Sequence, residues 1–343
     1  MQAVILVGGE GTRLRPLTST VPKPVVPLVD RPFIAYMLEW LRTHGVDDVV
    51  MSCGFLAAGV HNVLGDGSAY GIRLRYVEEP EPLGTGGAVK FAESLLDERF
   101  LMLNGDILTD LDLSAQIAQH EARGARGTLA LIPVEDPSAY GLVRTEPDGA
   151  VREFLEKPGP DQIDTNLISA GAYVLEREVL SLIDPDRPVS IEREIFPRLV
   201  GDGLYAYAGE GYWLDIGTPE RYLQGTRDIV EGRVHTEVVE RIAPSARVAD
   251  DATIGPLAVL GPDVVVGPGS EVDRAVVLRG SQIGAGSRVC DSIVAAGVRI
   301  GDRTRIEEGA VLGEGVTIGA DNVLRAGARI FPGVSLPDGA ISF

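Results

Sequence analysis

Two rhythms of apolar residues divide the chain. Up to about residue 230, short solid apolar runs alternate with stretches in which apolar residues recur three and four places apart. The runs at 3–7, 47–53, 72–77, 100–104, 128–134 and 170–175 predict buried strands. Between Phe33 and Leu41, Ile34, Met37, Leu38 and Leu41 fall at helical spacing and predict an amphipathic helix whose stripe is core. Strand and helix alternating in this way predict an α/β domain built on a mostly parallel sheet.

From residue 242 the rhythm changes to six. Aliphatic residues stand at Ile242, Val248, Ile254, Leu260, Val266 and Val272, then at Val277, Ile283 and Val289. They continue at Val294, Ile300, Ile306, Leu312, Ile318, Leu324, Ile330 and Leu336. A six-residue repeat with small residues after the aliphatic one predicts a parallel β-helix. The phase slips by one residue before Val277 and again before Val294, which predicts a shortened corner in the coil. The boundary is expected near residue 235, giving domains 1–235 and 236–343.

The bulk numbers narrow the partners. With 343 residues the chain is long enough for two ordinary domains. Its net charge of −19 argues against nucleic acid or an anionic membrane as partner of the whole surface. An anionic substrate must then be captured by a local group of cations. Of the 31 basic residues only three are Lys, at 23, 90 and 157. Cys53 and Cys290 form no disulfide or metal pattern. The chain starts without a basic leader and has no apolar run of membrane-spanning length, so the expected compartment is the cytoplasm.

The first apolar run ends in Gly8-Gly9-Glu10-Gly11-Thr12-Arg13-Leu14-Arg15-Pro16-Leu17-Thr18, and Pro22-Lys23-Pro24 follows. Glycines where a strand turns sharply let backbone N–H groups approach an anion. Arg13 offers a planar fork to phosphate oxygens and Lys23 a movable point charge. Leu14 stands where a dinucleotide fingerprint needs its third glycine, and Thr12-Arg13 stands where a P-loop needs Lys and then Ser or Thr. The stretch resembles instead the G-G-x-G-T-R-L-x-P-L-T…P-K-P signature of the sugar-1-phosphate nucleotidyltransferases. That resemblance extends over essentially the whole chain. It implies a Rossmann-like nucleotidyltransferase domain, mostly parallel, followed by a left-handed hexapeptide β-helix with three hexads per coil.

The resemblance assigns further segments. It implies a nucleotide site at Leu6, Gly8, Gly9, Gly11, Thr12, Arg13 and Lys23, with Pro82, Gly84 and Thr85 of the L-G-T-G segment against the base. Asp106 ends Asn104-Gly105-Asp106 and Asp215 lies in Trp213-Leu214-Asp215-Ile216-Gly217-Thr218-Pro219. These match the family positions that hold a divalent metal. Mg²⁺ fits, since it takes one or two carboxylates plus phosphates and waters. Glu156-Lys157-Pro158 resembles the family's E-K-P, where the lysine holds the sugar phosphate and the glutamate receives sugar hydroxyls. Gly141, Ser169, Gly171 and Trp213 complete the implied sugar site. Ser169 departs from the pattern, because many members carry Asn there. A serine is shorter and lacks the amide's paired donor and acceptor.

The reaction implied joins an NTP to a sugar 1-phosphate, giving NDP-sugar and pyrophosphate. The attacking group is already an oxyanion, so no general base is needed, and none of the four histidines lies in these segments. The catalytic set is then Arg13, Lys23, Asp106, Lys157 and Asp215, acting by position and charge. Two other readings fare worse. An acyltransferase on the β-helix would need a histidine, and 242–343 has none. A non-catalytic regulatory subunit would be expected to have lost one of the five residues. Val189–Pro197 and Pro332–Gly339 look most like mannose-1-phosphate guanylyltransferases of actinobacteria, which points to GTP and mannose 1-phosphate. The alternatives are glucose 1-phosphate with UTP or dTTP, or a cyclitol or modified hexose phosphate. The flat faces of a β-helix, the catalytic domain or both are expected to support a homo-oligomer.

Overall fold

A computed structural model describes residues 1–185, 187–237 and 240–342. The chain folds as two compact units, one formed by Met1–Gly9 and Ile34–Trp213, the other by Glu10–Phe33 and Leu214–Phe343.

The first unit holds a nine-stranded sheet. Its strands are β1 (Gln2–Leu6), β2 (Asp48–Cys53), β3 (Arg73–Glu78), β4 (Arg99–Asn104), β5 (Gly127–Pro133), β6 (Gly141–Thr145), β7 (Val151–Glu156), β8 (Leu167–Glu176) and β9 (Leu204–Ala208). The main path runs β7–β6–β8–β4–β1–β2–β3, and β5 lies beside both β8 and β9. β3, β2, β1 and β4 run parallel, as does the β5–β9 pair. β8 is antiparallel to β4, β5 and β6, and β7 to β6. All six strands read from the sequence are present. β6, β7 and β9 were not foreseen, because each mixes charged or aromatic residues with apolar ones and forms no solid run.

Helices α1 (Phe33–Thr43), α2 (Ala57–Leu64), α3 (Gly84–Phe91) and α4 (Leu113–Arg123) separate the strands, and the short α5 (Phe196–Leu199) continues a π-helical turn at Ile191–Ile195. The expected stripe of α1 is core: Ile34, Leu38 and Leu41 are fully buried. Continuous apolar runs serve the central strands because helices cover a parallel sheet on both faces, and Val4, Ile5, Val50, Leu101 and Met102 are completely buried.

The order of the parallel strands creates a crevice. From β1 the chain adds β2 and β3 on one side, then crosses to place β4 on the other. Connections beyond the carboxyl ends of β1 and β4 therefore diverge, and such a switch point is where open α/β sheets bind ligands. Gly105 keeps the two strand ends close. Its N–H donates to the Leu6 carbonyl over 2.9 Å, and a Cβ there would lie 2.6 Å from that oxygen.

The second unit contains a three-faced parallel β-helix. One face runs in six strands from Arg247–Val248 to Ser335–Leu336, the second in five from Thr253–Ile254 to Val323–Leu324, and the third in five from Val259–Leu260 to Arg329–Ile330. The aliphatic residues of the hexads from Leu260 through Leu324 point inward and form one continuous buried column, whereas Val248 near the start of the β-helix is exposed. Small polar residues at the corners are satisfied by carbonyls of the next coil, as Ser270 is by Gly284 and Ser287 by Gly301.

The two slips in phase become two tight corners. A full coil sets Thr253 opposite Glu271, whereas a shortened one sets Glu271 opposite Arg288, a residue earlier. The residue is lost around Arg274 and Asp291, both in the left-handed region at φ 46°. Arg274 Nη2 donates to Asp291 over 2.8 Å, and Arg227 of helix α6 (Pro219–Val230) donates to the same carboxylate over 2.7 Å. The shortened corners thus form the seat of α6.

Residues 10–33 fold as two 3₁₀ turns, Thr12–Leu14 and Lys23–Val25, and a minimal hairpin of Pro27–Leu28 with Arg31–Pro32. Leu14 and Thr18 are buried, and the hydroxyl of Tyr222 on α6 donates to the Pro27 carbonyl over 2.6 Å.

Candidate functional site

In the first unit the switch point gathers one group of the expected residues. Leu6 ends β1, Gly8 and Gly9 follow it, and Asp106 follows β4 and Gly105. Gly8 lies under the backbone of Gly54, where a Cβ would come within 3.0 Å of the Gly8 carbonyl oxygen. Neighbouring Glu79 ties the end of β2 to the 80–84 loop: it accepts from Ser52 Oγ over 3.0 Å and from the Leu83 N–H over 3.2 Å.

The L-G-T-G segment opens a helix, for α3 begins at Gly84. Pro82 and Gly84 are exposed and Thr85 is half-buried. Gly84 has φ +72°, and a Cβ there would stand 2.7 Å from the Val189 carbonyl, so glycine is required on two grounds. Thr85 Oγ1 donates to Glu192 over 2.6 Å, and Ser190 Oγ donates to the same carboxylate over 2.8 Å.

The antiparallel end of the sheet carries the expected sugar-phosphate residues. Gly141 of β6 pairs with Glu156 of β7, and a Cβ on Gly141 would lie 2.7 Å from the Phe154 ring and 3.1 Å from Glu156 Oε2. Lys157 follows in the left-handed region at φ 54°, exposed, with its N–H held by the Tyr140 carbonyl. A bulky residue in that conformation stores strain, which concentrates at functional positions. Burial, and then the Glu192 carboxylate, push the Glu156 carboxyl above its ordinary value against the opposing Lys157 and Arg193.

Ser169 sits at a bulge, where the β8–β5 register shifts between Ser169 and Tyr173. Gly171 at φ +74° turns the chain there, facing the Asn104 side chain. Such bulges re-aim side chains next to active sites. Ser169 Oγ lies 3.0 Å from the hydroxyl of fully buried Tyr173. Trp213 Nε1 donates to the Ala170 carbonyl over 2.8 Å, and its ring meets Tyr140 edge-on at 5.2 Å.

The second unit gathers Gly11, Thr12, Arg13, Lys23 and Asp215. Gly11 is left-handed at φ +61°, and a Cβ would press on Lys23 Cβ at 3.1 Å and on Thr18. Thr18 Oγ1 donates to the Gly11 carbonyl over 2.7 Å. Arg13 is largely exposed, and its Nη2 stands 3.9 Å from Oδ2 of the mostly buried Asp215. A Cβ at Gly217 would lie 2.8 Å from Arg13 Nη2 and 2.9 Å from Asp215 Oδ1, so glycine there preserves the space around both groups.

Sequence reading missed Glu79, Glu192 and Tyr173. The signal for Glu192 was an acid inside the apolar frame Ile191-Glu192-Arg193-Glu194-Ile195, and its π-helical turn is a geometry frequent at functional sites. Glu79 and Tyr173 carried no local signal. Three of the four histidines have structural surroundings: His120 is fully buried between Thr128 and Glu176, His44 meets Ser114, and His61 meets Tyr76 edge-on. Burial holds His120 below its ordinary pKa. Among the described residues no group of three or more His, Cys, Asp or Glu is placed to hold a metal, and no helix is long and apolar enough to cross a membrane.

Residues 2–232 match the nucleotidyl transferase family, and residues 237–338 match the GMPPB C-terminal domain. The mannose-1-phosphate guanylyltransferase of Mycobacterium tuberculosis is 40% identical, covering 100% of this chain and 98% of that protein. The mannose-1-phosphate guanylyltransferase catalytic subunit beta of Danio rerio is 36% identical, covering 98% of each. Among solved structures, HddC from Yersinia pseudotuberculosis is similar with TM-score 0.58 and 28% identity, over 66% of this chain and 99% of that one. The chain belongs to the nucleotidyl transferase family, whose members of this kind generally use a divalent metal.

Proposed function

We propose that this protein transfers a guanylyl group from GTP to mannose 1-phosphate, releasing pyrophosphate and GDP-mannose in the cytoplasm. The observation that carries the reading is the switch point between β1 and β4, from which Gly8, Gly9 and Asp106 emerge. Support for the substrates comes from the relatives named for that reaction along the full chain, and from HddC solved in complex with GMP-PN at 27% identity.

In this reading the backbone N–H groups of the 8–13 turn receive the nucleotide phosphates, and Pro82, Gly84 and Thr85 border the base. Arg13 stabilises the charge gathering on the departing pyrophosphate, and Lys23 that at the reacting centre. Lys157 aims the attacking phosphate, while Gly141, Glu156, Ser169, Gly171 and Trp213 fix the sugar. Because the nucleophile is an anion, the residues act by positioning and charge. Asp106 and Asp215 are the carboxylates assigned to Mg²⁺, an ion that takes one or two carboxylates beside phosphates and waters. When bound, Mg²⁺ would draw charge from the phosphate oxygens at the reacting phosphorus. The boundary at 235/236 accords with the limits of the two family matches. Self-association through the β-helix, the catalytic domain or both completes the reading, and sedimentation at micromolar concentration reports it.

The test is pyrophosphate release with Mg²⁺ across GTP, UTP, dTTP, ATP and CTP against mannose, glucose and galactose 1-phosphates. GTP with mannose 1-phosphate should dominate, and Asp106→Asn and Lys23→Ala should each lose about a hundredfold or more in kcat, as when a charge-stabilising group is removed. Preference for another pair renames the substrates. Near-normal turnover in both variants removes the assigned roles. Ser169, already engaged with Tyr173, favours a second reading in which a cyclitol or modified hexose phosphate is the acceptor. Nucleotide binding without turnover across the panel would select it.

A further inference from the structure

The second unit joins the phosphate loop to the β-helix by contacts that no catalytic assignment uses. Arg329 Nη1 donates to the Arg15 carbonyl over 2.6 Å and to the Arg13 carbonyl over 3.2 Å. Its other terminal nitrogen stands 4.0 Å from Glu220 of α6. Thr20 Oγ1 donates to Glu314 Oε2 over 2.5 Å. These ties come from adjacent coils of one face, since Val311–Leu312, two residues before Glu314, pairs in register with Arg329–Ile330.

From this geometry we infer that Arg329 is a positioning residue for the nucleotidyl transfer, and that the β-helix sets the direction of Arg13 through the backbone of the loop. The inference rests on the role given to Arg13 above. Arg13 is 67% exposed and its ion pair to Asp215 is long, at 3.9 Å. Its direction therefore depends on the peptide planes beside it. The plane between Arg13 and Leu14 is pinned from both sides, its oxygen by Arg329 and its N–H by the Gly11 carbonyl over 3.0 Å. The plane after Arg15 leads into Pro16, which has no N–H, so only its oxygen is available to be held. A guanidinium suits two carbonyls because its donors lie in a rigid plane. Two other arginines before an inward aliphatic residue pair with acids of the coils, Arg288 with Glu271 and Arg305 with Glu307, while Arg241 donates to the Gly255 and Ala258 carbonyls within the coils. At Arg329 that slot is turned to the loop.

The test uses the full chain, with forward transfer, reverse pyrophosphorolysis and thermal midpoint measured for wild type, R329A, R329K and T20V, and with R303A as a surface control. R303A removes an exposed pair to Asp321 and should match wild type. R329A should lower kcat about tenfold and raise KM for pyrophosphate about tenfold, the scale of one lost charge-assisted hydrogen bond. KM for the sugar phosphate should stay within about twofold, and R329K should recover part of the loss, because an ammonium can still serve one carbonyl. R329A with kcat and pyrophosphate KM unchanged, or a loss shared equally by both substrates, overturns the inference. If R329A unfolds the protein, T20V decides: the same selective loss supports the tie and no loss refutes it. Wild type inactive in both directions would instead remove the proposed function on which the inference rests.

Discussion

At Glu156 the sugar-binding role proposed above is set against stability. Burial and the Glu192 carboxylate raise its pKa, so ionising it costs the folded state free energy. The sign follows: a carboxyl with a raised folded pKa weakens the fold above that pKa, and the cost disappears as pH falls through it. Replacement by Gln should leave the thermal midpoint at neutral pH equal or higher. KM for the sugar phosphate should rise about tenfold or more, the scale of a lost hydrogen bond to a charged acceptor. In wild type that KM should also climb on acidification, starting at a higher pH than an ordinary glutamate would give, and the Gln variant should lack this limb. The Gln variant isolates the effect, since the substrate phosphate titrates identically with both proteins. Equal profiles would exclude ionised Glu156 from sugar binding. Ser169 is legible only in part at this scale. Its departure from the common Asn is visible in the sequence, but its partner Tyr173 lies across a bulge that one-dimensional spacing does not reveal.

At the scale of elements, the β-helix was legible because each coil must bury its aliphatic residue, which imposes the period directly on the chain. Even the two phase slips had a structural meaning, as the corners at Arg274 and Asp291. What they seat could not be read, because Arg227 lies 64 residues before Asp291 and belongs to a different kind of element. The hydrogen bond from Arg274 holds the Asp291 carboxyl below its ordinary value. A depressed carboxylate pKa gives stability that is complete above the unfolded value and fades as pH falls toward the folded one. Asp291→Asn should therefore lower the thermal midpoint at pH 7. The gap from wild type should narrow as acid carries wild type below the ordinary carboxylate range. A constant gap down to pH 3 would show that the residue acts by shape rather than charge. The antiparallel strands β6 and β7 were illegible for another reason: Arg144 and Glu153 form an ion pair and Gly141 makes room for the Phe154 ring, so no apolar alternation survives.

For the whole molecule, the division into units bears on what the second half is for. Residues 10–33, which carry Arg13 and Lys23, are grouped with Leu214–Phe343 rather than with the strand that leads into them. Loop anchors at Glu314 and Arg329, and the seat of α6 at Arg274 and Asp291, all lie beyond residue 235. HddC corresponds to only 66% of this chain while nearly all of its own length is matched, so a related protein exists without a third of what is present here. In this chain Glu314 and Arg329, both beyond residue 235, hold the loop. A version ending at residue 235 should keep the sheet signal of the first unit by circular dichroism, because that core is formed by residues before 214. Its turnover should fall by about a hundredfold or more, since small displacements of positioned charges cost that much. Adding the separate 236–343 segment in trans should restore little, because the loop would then have to recruit its anchors from solution. Full turnover by the shortened chain would mean that the β-helix is only a platform for assembly, and that the loop holds Arg13 in place by its own turns.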